Sequence, residues 1–272
     1  MTTLTAPTDL PGLVRHWRQA RRMSQLDLAL AAGISQRHLS FLESGRAKPS
    51  REMLAMLADA MELPLREQNR LLLAAGFAPR FEERRLDELS FAPALEAVQR
   101  LLAAHEPNPA VAVDRHWNLV YANRAVAPWL AEVKDATLLA PPVNVLRLAL
   151  HPGGLAPLIV NFGEWRSHLL HRLRQQVETS GDAGLAGLER ELSALPVQNA
   201  AGARRIAPGA MPELAVPMRV RIGGRTLSFM SAITVFGTPL DVTLSELAIE
   251  TFLPADAETA EALRAMAATA VG

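Results

Sequence analysis

The chain has 272 residues, room for two domains. Its composition, 49% hydrophobic and 21% charged, is that of an ordinary globular protein. The 28 basic residues balance 28 acidic ones and there is no cysteine, which excludes coating of nucleic acid by bulk charge, a disulfide framework and a thiolate metal site.

Leu13, Val14 and Trp17 make the apolar stripe of a first helix. Ser24 is placed to cap a second, where Leu26, Ala29 and Leu30 recur at helical spacing. Gly33 can take the positive φ that ends this helix, and Ile34 can plug the corner. Ser35 caps a third helix. On it Leu39 and Leu42 point one way, and Gln36, Arg37, Ser40 and Phe41 the other. An outward face with long donors at its N-terminal end suits base edges in a major groove. Pro49-Ser50 stops the chain, and Leu54, Leu57 and Ala58 begin a fourth helix. Residues 64–75 read as a fifth, closed by Gly76.

Arg18, Ser24-Gln25, Ala29, Gly33-Ile34-Ser35 and Glu43-Ser44-Gly45-Arg46 carry a resemblance to the phage-repressor or XRE family of DNA-binding domains. The resemblance implies double-stranded DNA as a partner. It gives Gln36, Arg37 and Phe41 to base reading, with Gln36 suited to adenine and Arg37 to guanine. Phe41 either meets a thymine methyl or packs on a neighbouring helix. Gln25, Ser40, Arg46 and Lys48 are assigned to the DNA backbone. Arg18 and Glu43 match a pair that forms a salt bridge inside the family's fold, so Glu43 is read as structural. Charge agrees: residues 10–51 hold eight basic and two acidic side chains in a chain of zero net charge.

Pro79 and the run Glu82-Glu83-Arg84-Arg85 suit an exposed connection. Residues 94–104 then read as an amphipathic helix, with Leu95, Val98, Leu101 and Leu102 on one side, fit to bridge domains or to mediate dimerisation. Beyond it the pattern turns to mixed α and β. Residues 110–113 and 117–121 read as strands around the turn Asp114-Arg115-His116, followed by helices over 123–132, 145–150, 158–177 and 185–195. Val216, Met218, Val220 and Ile222 alternate along a strand, Gly223-Gly224 makes a hairpin turn, and Leu227, Phe229, Ile233 and Val235 alternate on the return. Leu247, Ile249 and Leu253 mark a final strand, and 257–268 a closing helix. The expected fold is therefore two-domain. An all-α five-helix helix-turn-helix domain occupies 1–80, a linker with its bridging helix 81–109, and an α+β PAS-like domain with an antiparallel sheet 110–272.

The stretch 113–123, VDRHWNLVYAN, resembles the opening hairpin of a PAS domain. With it stand Leu150-His151-Pro152-Gly153-Gly154, Val160-Asn161-Phe162-Gly163-Glu164-Trp165 and Phe252-Leu253-Pro254-Ala255-Asp256. Together with the N-terminal motif these resemble the MmyB-like family of transcription regulators across essentially the whole chain. The resemblance implies a sensor of a small apolar or fatty-acid-like ligand, with a bound fatty acid or similar amphiphile in place of a cofactor. Phe162, Trp165 and Leu169 would line its pocket, and His168 or Arg172 would meet a carboxylate. The plainer reading makes the aromatic residues, with Trp117 and Trp129, core, and leaves His168 and Arg172 solvated.

No nucleophile elbow or phosphate loop appears, so no catalytic residue is expected. His168 and His171 stand at i, i+3 without evident further ligands, so no metal is expected either. No apolar run reaches the ~18–20 residues of a membrane span. The opening MTTLTAPTDL lacks the order of a secretory leader, which predicts a cytoplasmic location. The sequence thus reads as a homodimeric regulator, a repressor by default, on a palindromic operator. The competing reading is a DNA-tethered protein-interaction adaptor with no small-molecule ligand.

Overall fold

A computed structural model describes residues 9–196 and 216–269. The outer ends of the expected domains, 1–8 and 270–272, lie outside these. The described chain divides into two compact units. The first runs up to Arg84 and takes in Gln176–Ala183 and Thr238–Ser245; the second holds the rest.

Five helices build the first unit: α1 (Leu10–Ala20), α2 (Gln25–Ala31), α3 (Gln36–Glu43), α4 (Arg51–Ala60) and α5 (Leu65–Ala74). Side chains cap the middle three. Ser24, Ser35 and Ser50 accept hydrogen bonds from the amides of Asp27, His38 and Met53. The Ser24 amide in turn donates to the Asp27 carboxylate, completing a capping box. Between α2 and α3, Gly33 has φ +67°, and the Ile34 amide reaches back to the Ala29 carbonyl. Leu13, Val14, Trp17, Leu28, Leu39, Leu42, Leu54 and Leu57 share one core, against which Ile34 packs.

Helix α2 departs from the expected stripe. Leu28 and Ala29 are its buried residues, while Leu26 and Leu30 are 50% and 72% exposed. In seven residues with leucine at every second place, several stripes have helical spacing, and only the neighbours decide between them. The connection after α5 also differs from a bare linker. Glu82, Glu83 and Arg85 are exposed, but Arg84 pairs with Asp241, a buried carboxylate from far along the chain. The Val242 amide bonds the Glu82 carbonyl and the Thr243 hydroxyl the Arg84 carbonyl, so the short helix α11 (Val242–Ser245) belongs to this unit.

The second unit opens with α6 (Ala92–Ala104), which packs on β1 with Val98 and Leu102 buried, and so belongs to this unit's core. There follow β1 (Ala110–Val113), β2 (Leu119–Ala122), α7 (Ala127–Leu130), α8 (Val145–Leu150), α9 (Phe162–Ser180) and α10 (Ala183–Ala194), of which the end of α9 from Gln176 and the first residue of α10 fall in the first unit. The strands β3 (Met218–Ile222), β4 (Arg225–Val235) and β5 (Ala248–Pro254) and the helix α12 (Ala257–Thr269) close it. The five strands form one antiparallel sheet in the order β2-β1-β5-β4-β3. Gly223 and Gly224, both at positive φ, make the tight β3–β4 turn, where Ile222 faces Arg225. Met218, Val220 and Ile222 are buried, and Arg219 and Arg221 exposed, as the alternation requires.

Three elements depart from expectation. The helix expected over 123–132 is a 3-10 turn leading into the four residues of α7, because Asn123 spends its side chain on backbone groups and Pro128 limits the first turn. Helix α9 starts only at Phe162, since Asn161 bonds across to β3. On β4, Leu227 and Phe229 are buried but Ile233 and Val235 are exposed. Pairing with β3 ends at Phe229, opposite Met218, so the far half of β4 extends beyond its neighbour.

Candidate DNA interface and ligand cavity

Helix α3 presents Gln36 and Arg37 to solvent, on the side opposite Leu39 and Leu42. Phe41 is half-buried, and the Arg37 guanidinium lies 5.4 Å from the centre of its ring. The two are one helical turn apart on α3, so the guanidinium is held against the Phe41 ring by a cation–π contact. Ser40 is half-buried beside it, and Arg46 and Lys48 are exposed in the loop after α3.

Beneath this face sits Glu43, only 2% exposed. Its carboxylate accepts from Arg18 Nε at 2.6 Å and from another Arg18 nitrogen at 3.0 Å. Gln25 Nε2 donates to it at 2.8 Å. Arg18 also bonds the Met23 carbonyl, and Arg15 the Glu43 carbonyl. Burial pushes the Glu43 carboxyl up, but the hydrogen bonds from Arg18 and Gln25 and the charges of Arg18 and Arg15 outweigh it, so the group is held below its usual range. This network joins α1, α2 and α3. It also gives Gln25 a task inside the fold, since its amide donates to Glu43.

In the second unit, an apolar cavity of about 80 Å³ lies between the sheet and the helices α7, α8 and α9. Trp129, Leu146, Leu148, Trp165 and Leu169 meet Val111, Val220 and Phe252 of the sheet there. Trp129, expected as core, is part of this wall, its ring 5.3 Å from Phe229 and 5.0 Å from Phe252. Of the residues expected to bind ligand, the fold brings Trp165 and Leu169 to the cavity and leaves Phe162, His168 and Arg172 off its wall. Phe162 is core. His168 stacks on Trp165 at 5.4 Å. Burial and the neighbouring charge of Arg172 hold its imidazole below the usual histidine range. Arg172 is not solvated: its guanidinium lies 4.3 Å from the Trp117 ring centre and bonds Glu250 at 3.2 Å. Glu250, which no sequence motif marks, is the charged residue of the cavity wall.

Two capped helices joined at a positive-φ glycine, with polar side chains on the outer face of the second, make a helix-turn-helix DNA-binding protein. Residues 14–68 match the helix-turn-helix family, and residues 94–266 match the MmyB-like transcription regulator ligand binding domain. The chain belongs to the MmyB-like transcription regulators. Uncharacterized HTH-type transcriptional regulators of Mycobacterium bovis and of Mycobacterium tuberculosis are each 34% identical over 110 residues, covering 38% of this chain. The match spans 36% of the length of these curated relatives. No helix among the described residues is long and apolar enough to cross a membrane.

The interface leads to a paired expectation. Arg37→Ala should relax preference at one base pair, at a cost of ~1–3 kcal/mol against the preferred sequence. Gln25→Ala should weaken binding to all sequences alike. Titrating both variants against a randomised operator pool checks this; uniform weakening by Arg37→Ala would make that residue a phosphate contact.

Proposed function

We propose that this regulator acts as a homodimeric repressor whose α+β domain senses a small apolar or fatty-acid-like molecule. The observation that carries the reading is the cavity walled by Trp129, Trp165 and Leu169 in a chain that also presents Gln36 and Arg37 on its reading helix. An apolar recess with one polar edge suits an amphiphile. The strand order β2-β1-β5-β4-β3 supports the PAS-like description of the domain. In a dimer, ligand would bind one arrangement of the sensing domains better and so bias the spacing of two reading heads. The operator would be palindromic, its half-sites about one helical turn, ~34 Å, apart. The reading places the protein in the cytoplasm with its DNA and gives it no catalytic step.

Native mass spectrometry of the purified chain tests it. A dimer mass carrying a retained amphiphile, and a change in operator affinity once that molecule is stripped, are the expected results. A domain that neither retains nor binds apolar molecules would favour the protein-interaction adaptor.

A further inference from the structure

The polar edge of the cavity narrows the ligand, on the reading just proposed. Glu250 is 4% exposed, in the central strand β5, directly opposite Val111 of β1. One of its oxygens is bonded by Arg172, at 3.2 Å. The guanidinium itself is off the cavity wall, packed over Trp117. A molecule in the cavity therefore lies beside the acidic member of this pair and away from its cation. A ligand carboxylate placed there would face a buried like charge. An ammonium head would gain the carboxylate, but would lose its hydration and lie close to Arg172. A neutral hydroxyl or amide N–H meets neither penalty, and it gives Glu250 a donor. His168, held neutral beside Arg172, offers no second cation to draw an acid in.

We infer that the cavity takes an amphiphile whose neutral head donates a hydrogen bond to Glu250, a fatty alcohol or primary amide in place of a free fatty acid. The cavity, at about 80 Å³, well exceeds the ~10–15 Å³ that one water needs. That is room for roughly five to eight water-sized groups, so a short chain is the suitable probe.

The test compares 1-hexanol, hexanamide and hexanoate at neutral pH, by calorimetry on the full chain and on E250Q. The wild type should bind the alcohol and the amide at least tenfold more tightly than the acid. Any apolar cavity disfavours a bare carboxylate, so the decisive readout is the change in that ratio. E250Q removes the negative charge and releases Arg172 from its partner, and should raise hexanoate affinity about tenfold while that of the alcohol, which loses a charged acceptor, falls about threefold. Hexanoate binding best to the wild type, or a ratio unmoved in E250Q, would overturn the inference and leave the sensor reading intact. Should E250Q not fold, Glu250→Met takes its place, and the same change in ratio decides. If none of the three binds, the sensor reading falls and this inference with it.

Discussion

Glu43→Ala should destabilise the helical unit by about 3–5 kcal/mol, the cost of leaving a buried charge without its partner. Arg18 would keep its place between α1 and the rest of the unit, its side chain 12% exposed, with two of its hydrogen bonds gone. Gln25 would lose its acceptor as well. Urea unfolding followed by helical circular dichroism measures the loss. A loss below ~1 kcal/mol would mean that the pair behaves like an exposed one. The double variant Arg18→Met with Glu43→Leu makes the sharper comparison. If the network sets geometry more than stability, this swap should recover most of the loss in stability. Operator affinity should not recover, because α3 would no longer be held in register with α1 and α2. Acid provides a further check. The folded Glu43 carboxyl lies below its ordinary value, so its contribution is complete above the unfolded value of ~4.3 and disappears as pH falls through the lower folded value. Glu43→Gln should remove that part of the acid sensitivity.

The contrast between Glu43 and Glu250 shows what a sequence carries and what it withholds. Glu43 was legible because it stands in a pattern of spaced residues with Arg18, Gly33 and Ser35. Glu250 stands in no such pattern. Alternation along β5 draws attention to Leu247, Ile249 and Leu253 and consigns the residues between them to solvent. Yet β5 is a central strand covered on both faces, with Ile249 and Glu250 both buried. A period of two finds a strand but cannot show that both of its faces are covered. The same limit applies to α2, where periodicity found the helix and chose the wrong leucines. Gly154 is the reverse case: its place in the LHPGG stretch was plain, and its reason emerges only in three dimensions. A Cβ there would lie 2.3 Å from the Leu148 carbonyl oxygen, so only glycine lets the turn close on α8.

Asn123 and Asn161 stand in the stretches that carry the family resemblance, but their burial and their hydrogen bonds were not legible there. Asn123 is the strongest test of what they do. Its Oδ1 accepts from the Ala110 amide, and its Nδ2 donates to the carbonyls of Leu102 and Asn108. One side chain thereby ties the end of α6, the loop after it and the start of β1. Asn123→Ala should cost about 3 kcal/mol in the second unit, since buried backbone groups would be left unpaired at ~1–3 kcal/mol each. Asn123→Asp separates hydrogen bonding from packing, because the shape is kept. At neutral pH a carboxylate there would still accept from Ala110, but would face two carbonyl oxygens, so its folded pKa should rise above the ordinary ~3.9. A raised value means that stability is greatest in acid and is lost as pH rises through the folded pKa. Relative to the wild type, Asn123→Asp should therefore be the less stable chain at pH 7 and regain ground towards pH 4. Chemical denaturation of the two chains across that range isolates the effect, because the acid sensitivity of Glu43 is common to both. A difference that did not change with pH would show that the amide fills space without steering the backbone. A pH-dependent one would make Asn123 the clamp that positions β1, and with it the Val111 wall of the cavity.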